Sequence, residues 1–393
     1  MTAAARRISP PPLLTSPPFA RLFAALPEAR VVGGAVRDWL LGIPNEDVDL
    51  ATPRPPGEVM RALEQAGFRA IPTGLAHGTV STPVGEGRLV EITTLRRDLR
   101  TDGRHAEVAF TDAWEEDATR RDFTINSLSM TPVGEIFDYT GGLADLEAGR
   151  VRFVGDPATR LREDYLRLLR FFRFWARYGR VPPDPPTEAA LREAVGGLGR
   201  LSPERVWSEL KRLLATPDPG PALALMDRLG VLPALLPEGY ALGELPSRPD
   251  PLLRLAAFFR GDPKALAARL RLSRAEAERL AALQGPLPDP ARLRAALAET
   301  PKEILIGRAE IAGREDLVRA LEALEPPRFP LRGADLRALG LEEGPAVGRA
   351  LAAARAHWLA TDTAADRAAL LAHIAPLLPP LAKEEGKGDR AGR

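Results

Sequence analysis

An α+β head followed by an all-helical remainder is the fold class that this 393-residue sequence predicts. Three observations carry it. Segments of strand and helix character alternate over residues 20–154, as in a mixed sheet with helices. From residue 155 onward the apolar spacing is helical, and Pro and Gly punctuate it. A chain of 393 residues also exceeds what one core ordinarily organises, so more than one domain is expected.

The elements follow in order. Residues 1–19, rich in Pro, Ser and Ala, read as a flexible lead-in. In the head, "ARVV" reads as a strand, "AVRDWLLG" as a helix, "EDVDLAT" as a second strand and "GEVMRALEQAGF" as a second helix. "HGTVSTPV" and "RLVEITTLR" face each other across the turn "GEG". "DATRRDFTINSLSMTP" begins helically, and "GEIFDYTGG" has strand and turn character. A helical neck (155–216) opens with "PATRLREDYLRLLRFFRFWARYG", expected to be one strong amphipathic helix. A helical body (217–330) and a helical tail (331–393) follow, and the charged end "AKEEGKGDRAGR" is expected to be disordered. Ser, Asp or Pro begins many of these segments and Gly ends several, as helix caps do.

Composition narrows the chemistry. The chain has no cysteine, which excludes disulfides, thiol catalysis and zinc–thiolate sites. No run approaches the roughly 20 apolar residues of a membrane helix, and "MTAAARRISPPPLL" lacks the apolar stretch of a secretory signal. A cytoplasmic protein without a membrane partner is expected. Net charge is only +1, yet 49 of the 54 basic residues are Arg, which suits bidentate contact with phosphates and bases. GC-rich coding would produce the same bias, so individual arginines are judged by position. No His–Asp cluster accompanies the four histidines (77, 105, 357 and 373), so no appended metal phosphohydrolase is expected.

Asp47 and Asp49 in "GIPNEDVDLAT" sit two apart, and on a strand such residues project from the same face. They are either an ordinary polar strand end or ligands for a cation such as Mg²⁺, which takes one or two carboxylates plus substrate phosphate oxygens. The neighbourhood favours the second reading. "VVGGAVRD" gives a strand, the turn Gly33-Gly34 and a helix start, where backbone N–H groups receive anions and Arg37 adds a full charge. Glu91, on a neighbouring strand, is a third carboxylate for metal, a group that activates a hydroxyl, or a structural partner of a head arginine. In "RRDFTINSLS", Arg120 and Arg121 are candidate triphosphate partners that Asp122 can orient, and Asn126 can bond a ribose or phosphate.

"GGAVRD" followed by "EDVDLAT" resembles the nucleotidyltransferases of the polymerase-β superfamily. "TGLAHGTV", "VEITTLRRDLRTDGRHAEVAFT", "EEDATRRDFTINSLS" and "DPATRLREDYLRLLRFFRF" narrow the resemblance to bacterial-type, class II tRNA nucleotidyltransferases, the CCA-adding enzymes. These motifs cover about residues 30–180; the remainder carries no diagnostic motif. The resemblance implies a polymerase-β-like head with neck, body and tail. It also implies Mg²⁺ on Asp47 and Asp49, a nucleotide site lined by Arg121 in preference to Arg120 and by Asn126, and base recognition by Glu163, Asp164 and Arg167 of the "EDxxR" motif. The family's flexible loop, linked to the switch from C to A addition and shortened or absent in CC-only relatives, corresponds to 98–110, with Asp98, Asp102, Gly103 and Arg104.

The neck helix has its own physical reading. At about 100° per residue, Leu161, Tyr165, Leu168, Leu169, Phe172, Trp175 and Ala176 share one face of 161–176. Arg167, Arg170 and Arg173 share the other, with Asp164 at its border. Three arginines without carboxylates on that face repel one another unless an anion faces them, so a ligand is expected there. C and A both present an exocyclic amine beside a ring-nitrogen acceptor; a carboxylate accepts from the first and a guanidinium donates to the second. U and G mismatch both, so one Asp–Arg pair can select CTP and ATP without a template. Arg170 and Arg173 would then face phosphates or position Arg167.

The expected activity is therefore addition of C and A from CTP and ATP to the 3′ end of tRNA, with release of pyrophosphate and the acceptor arm held by the helical body. An A-adding enzyme is the alternative. A poly(A) polymerase usually carries a basic "RRFRLVHV"-like segment where this chain has "TGLAHGTVSTPV". An inactive RNA-binding scaffold would have no use for a bare like-charge pair.

Overall fold

The computed structural model describes residues 3–85, 87–101 and 106–378. Among the described residues ten strands lie in the head: β1 (Arg6–Arg7), β2 (Arg30–Val32), β3 (Asp49–Thr52), β4 (Ile71–Gly74), β5 (Thr79–Val84), β6 (Arg88–Thr94), β7 (Arg96–Thr101), β8 (Ala106–Phe110), β9 (Ser129–Met130) and β10 (Glu135–Phe137). Eight form one mixed sheet in the order β1-β10-β9-β2-β3-β6-β5-β4, and β7 with β8 forms a separate antiparallel hairpin. All pairs of the large sheet are antiparallel except β3 with β6.

Register explains why the carboxylates converge. Ile136, Met130, Val31, Leu50, Ile92 and Val80 are successive cross-strand partners, and each is 0% exposed. One register step away the side chains turn to the opposite face, where Val32 pairs with Asp49 and Asp49 with Glu91. The apolar row therefore anchors the strands that carry the polar pair.

Head helices are α1 (Pro12–Thr15), α2 (Pro17–Ala25), α3 (Gly34–Leu40), α4 (Pro56–Gln65), α5 (Trp114–Thr119) and α6 (Gly142–Ala148). The stretch expected as a flexible lead-in takes part in this fold. Arg6 and Arg7 pair with Ile136 and Glu135, and Leu14 and Phe19 are buried. Prolines at the helix starts account for the misreading: they preset helical φ and need no N–H bond there.

The neck comprises α7 (Pro157–Glu163), α8 (Leu166–Tyr178), α9 (Pro185–Ala194) and α10 (Pro203–Leu214). The single helix expected over 161–176 is broken at Asp164, whose backbone is extended (φ −151°, ψ 107°). Its side chain accepts the Leu166 N–H at 3.0 Å, a local bond that competes with helix continuation. α8 is also buried on more than the expected face. Phe171 and Phe174 pack on Phe123 of the head at centroid separations of 6.2 and 5.1 Å, and Phe153 stacks on Phe171 at 5.6 Å. Burying each such ring contributes about 2 kcal/mol, so this cluster fixes α8 on the head.

The described residues divide into two compact units. One holds residues up to Pro251 with Phe259–Leu272; the other holds Leu252–Phe258 and residues from Ser273 onward. Head and neck thus lie in one unit. The second unit is helical, with one core around Leu305, Ala309 and Leu321 and another around Leu336, Trp358 and Leu370. The C-terminal stretch expected to be disordered lies outside the described residues.

Candidate nucleotide and metal site

A cavity of about 970 Å³ opens between the head and neck. Gly33, Gly34, Asp47 and Asp49 line it from the sheet side, and Arg121 and Asn126 from the segment after α5. Asp164, Arg167, Arg170 and Arg173 line it from the neck. Arg37 also borders it. Glu91 does not line it.

Gly33 ends β2 and caps α3 with φ +72°, a conformation that side chains rarely adopt. A Cβ there would also stand 3.3 Å from Nη1 of Arg121, so the glycine lets that guanidinium approach the turn. Asp47 lies just before β3 and Asp49 begins it. Val48 and Leu50 are buried while both aspartates are exposed, so the carboxylates share a face as the spacing predicts.

Asp49 is exposed to the cavity, yet the protein around its carboxyl group still strips part of its solvation. Its pKa is pushed up to about 6 by desolvation, then by Asp47 and Glu91, with Arg121 opposing. Removing a carboxylate's solvation beside two like charges disfavours ionisation, and a bound cation offsets that cost. Among the described residues no group of three or more His, Asp or Glu side chains is arranged to hold a metal. A protein cage is therefore absent there, and the donor set fits Mg²⁺, which accepts one or two carboxylates and completes its shell with water and phosphate. Glu91 contributes charge behind the pair.

The arginines are held by carboxylates, which corrects the expectation that the neck arginines lack balancing charge. Arg170 Nε donates to Asp122 Oδ2 at 2.9 Å, Arg173 Nε to Glu209 Oε2 at 2.6 Å, and Arg167 Nη1 to Glu163. Two of these partners come from distant segments, so a helical wheel of the neck could not reveal them. Asp122 orients Arg170 rather than Arg120 or Arg121. Those two share Asp117 of α5, with Nε of Arg120 at 2.8 Å from Oδ1 and Nη2 of Arg121 at 3.0 Å from Oδ2. Burial opposes ionisation of Asp117, but the two guanidiniums outweigh it and its pKa lies below the usual range. Asp122 behaves likewise, Arg170 prevailing over burial. Asp122→Ala would strand Arg170 and the Asn126 amide, which donates to Asp122 at 3.1 Å. A loss of about 2–3 kcal/mol in urea unfolding is expected, less than for a fully buried pair because Arg170 is part-exposed.

Arg37 is buried rather than presented to solvent. It donates to Asp38 at 2.9 Å and to Asn126, and lies 4.1 Å over the Tyr178 ring. Burial, with Asp38 alongside and Arg37 opposing, raises the Tyr178 phenol to about 12, so it remains a hydrogen-bond donor.

Asp164 and Arg167 line one wall but do not pair with each other. Asp164 Oδ2 accepts from Arg205 of α10 at 2.8 Å; Arg167 Nη1 also donates to the Arg160 carbonyl at 2.8 Å. Arg205 lies on α10, beyond the stretch that carries diagnostic motifs. Asp117 lies inside the motif "EEDATRRDFTINSLS" but was not singled out, and Tyr178 and Glu209, outside every quoted motif, were missed. Asp102, Gly103 and Arg104 of the 98–110 loop lie outside the described residues; around them β7 and β8 pair from Arg96↔Phe110 to Thr101↔Ala106.

A carboxylate pair at the start of an interior strand, a glycine turn and a wall of partnered arginines around one cavity have the make-up of a nucleotidyl-transferring enzyme. A family model described as "Poly A polymerase head domain" matches residues 29–152, and "Probable RNA and SrmB- binding site of polymerase A" matches 182–242. The "CCA tRNA nucleotidyltransferase 1, mitochondrial" of Danio rerio is 38% identical over 361 residues, covering 84% of this chain and 83% of its own. The "CCA-adding enzyme" of Anoxybacillus flavithermus is 37% identical over 233 residues, covering 59% and 55%. The crystal structure of the Bacillus stearothermophilus CCA-adding enzyme in complex with CTP superposes with a TM-score of 0.72 at 27% identity, covering 92% of this chain and 98% of that one. This chain belongs to the family of CCA tRNA nucleotidyltransferases, the CCA-adding enzymes.

Proposed function

We infer that the cavity between head and neck is where this chain adds C and A to the 3′ end of tRNA from CTP and ATP, releasing pyrophosphate. The activity is that of the family. The observation that carries the assignment of the site is convergence: the glycine turn, Asp47 and Asp49 line the same cavity as Asp164 and Arg167.

The residues divide the work. Asp47 and Asp49 would hold Mg²⁺. That ion, when bound, lowers the pKa of the attacking hydroxyl and offsets charge on the leaving phosphate oxygens. The turn at Gly33-Gly34 and Arg121 receive the triphosphate, with Asp117 holding Arg121 in place. Arg37 and Asn126 form the floor beneath it. Asp164 accepts from the exocyclic amine shared by C and A, using lone pairs left beside Arg205 and the Leu166 N–H. Arg167 has donors beyond Nη1 for the ring nitrogen. Arg170 and Arg173, neutralised by Asp122 and Glu209, shape this wall rather than repel the base. Glu91 supports ion binding through its charge. We also propose a cytoplasmic location, in contrast to the vertebrate relatives named mitochondrial; subcellular fractionation tests it.

Purified protein, labelled CTP and ATP, and three tRNAs ending before C74, after C74 and after C75 (conventional tRNA positions) test the activity. C, C and A should be added in turn. Addition of A to the last tRNA alone would reassign the chain as A-adding, and long A tails on unrelated RNA would indicate a poly(A) polymerase.

A further inference from the structure

Behind the cavity wall, a string of hydrogen bonds ties the neck helix to the loop that presents Asp47. The hydroxyl of Tyr178, on α8, donates to Asp38 Oδ1 at 2.9 Å. Asp38, on α3, is 4% exposed, and its Oδ2 accepts from Asn45 Nδ2 at 2.9 Å. Asn45 in turn accepts the backbone N–H of Asp47 on its Oδ1 at 2.8 Å. Its own carbonyl accepts from Trp39 Nε1 at 3.0 Å, which holds it against α3.

The bonds at Asn45 suit a short amide side chain. They need a donor toward a carboxylate and an acceptor toward a backbone N–H, at adjacent atoms of a short side chain. An amide supplies both, and its orientation is fixed by those partners. Neither Asn45 nor Asp38 lines the cavity, so neither touches substrate there. We propose that Asn45 and Asp38 are positioning residues that set Asp47 for metal binding, and that Tyr178 makes this setting depend on the seat of the base-reading helix. One string of bonds then joins the two ends of the nucleotide site. A shift of α8 pulls on Asp38 and, through Asn45, on the backbone of Asp47. The inference rests on the metal role assigned above to Asp47.

Binding of Mn²⁺ to the full chain with a non-transferable CTP analogue, read by electron paramagnetic resonance, tests it apart from turnover. Asn45→Ala should weaken Mn²⁺ binding on the order of tenfold, the usual scale for a residue that orients a ligand. CTP-over-UTP discrimination should be unchanged. Asn45→Asp should be worse than Asn45→Ala, because it sets a carboxylate against Asp38. Tyr178→Phe keeps the ring over Arg37 and removes only the hydroxyl; it should weaken Mn²⁺ binding less. The double variant Asn45→Ala/Tyr178→Phe should bind Mn²⁺ no more weakly than Asn45→Ala, since the two act in series. Wild-type Mn²⁺ affinity in Asn45→Ala, or fully additive losses in the double variant, would overturn the proposal. If melting shows Asn45→Ala to be unfolded, Tyr178→Phe decides, and wild-type affinity there overturns it. Asp47→Ala is the control. If it binds Mn²⁺ normally, the metal role itself has failed; if it loses Mn²⁺ while Asn45→Ala does not, only the positioning role has failed.

Discussion

Asn in place of Asp49 is expected to reduce nucleotide transfer by on the order of a thousandfold or more, equivalent to about 4 kcal/mol of activation free energy. The fold should persist, because the backbone of Asp49 pairs with Val32 and Glu91 whatever its side chain. The raised pKa makes a second measurement informative. In the metal-free protein the folded state holds this proton up to about pH 6, whereas a free aspartate loses it near 3.8. The stability contributed by the protonated form is fully present below pH 3.8 and lost as pH rises through about 6. Asp49→Asn removes that loss. With a chelator present, its Tm should gain on wild type between about pH 4 and pH 6 and keep that gain at higher pH, while turnover stays abolished. Transfer by the wild type at low Mg²⁺ should fall on the acid side near pH 6, and that limb should move to lower pH as Mg²⁺ is raised. An inactive variant that also loses Tm at neutral pH would make Asp49 structural instead.

Loss of base selection is the second large effect. Asp164→Ala and Arg167→Ala should each lower the kcat/KM preference for CTP over UTP by on the order of a hundredfold or more, because a site built to bond particular groups rejects an analogue by leaving those groups unpaired. The two variants differ in what they strand. Asp164→Ala frees Arg205 and the Leu166 N–H, so it should also cost stability. Arg167→Ala frees Glu163, which keeps its bond from Arg160 at 2.7 Å, so its effect should fall mainly on selection. Unchanged preference in Arg167→Ala would remove its base-reading role.

These expectations show what a single sequence discloses. The sheet-borne pair was legible because two-residue periodicity depends only on local chain geometry, and Val48 and Leu50 announced which face was buried. The glycine turn was legible for the same reason. Partners across the fold were not. Nothing near Arg173 indicates Glu209, and nothing near Arg170 indicates Asp122, so the neck arginines read as an unbalanced stripe although each is paired. The break at Asp164 was hidden by its flanks: apolar residues on both sides keep helical spacing, and a side-chain bond to Leu166 decides the geometry. The N-terminal segment misled in the opposite direction, since its prolines suggest a flexible lead-in but begin helices that bury Leu14 and Phe19. Asp38 ends "GGAVRD" and Asn45 lies in "GIPNEDVDLAT", but nothing in either stretch points to Tyr178; only the fold brings the three together.

The central claim is that one cavity takes both CTP and ATP and tells them from UTP and GTP with protein groups alone. Competition binding without RNA tests it most directly, by titrating the protein saturated with CTP against ATP in the presence of Mg²⁺, and separately against UTP and GTP. ATP should displace CTP stoichiometrically from a single site, UTP and GTP should displace it poorly, and Asp164→Ala should erase the difference. Simultaneous occupancy by CTP and ATP, or equal displacement by all the nucleotides, would contradict it.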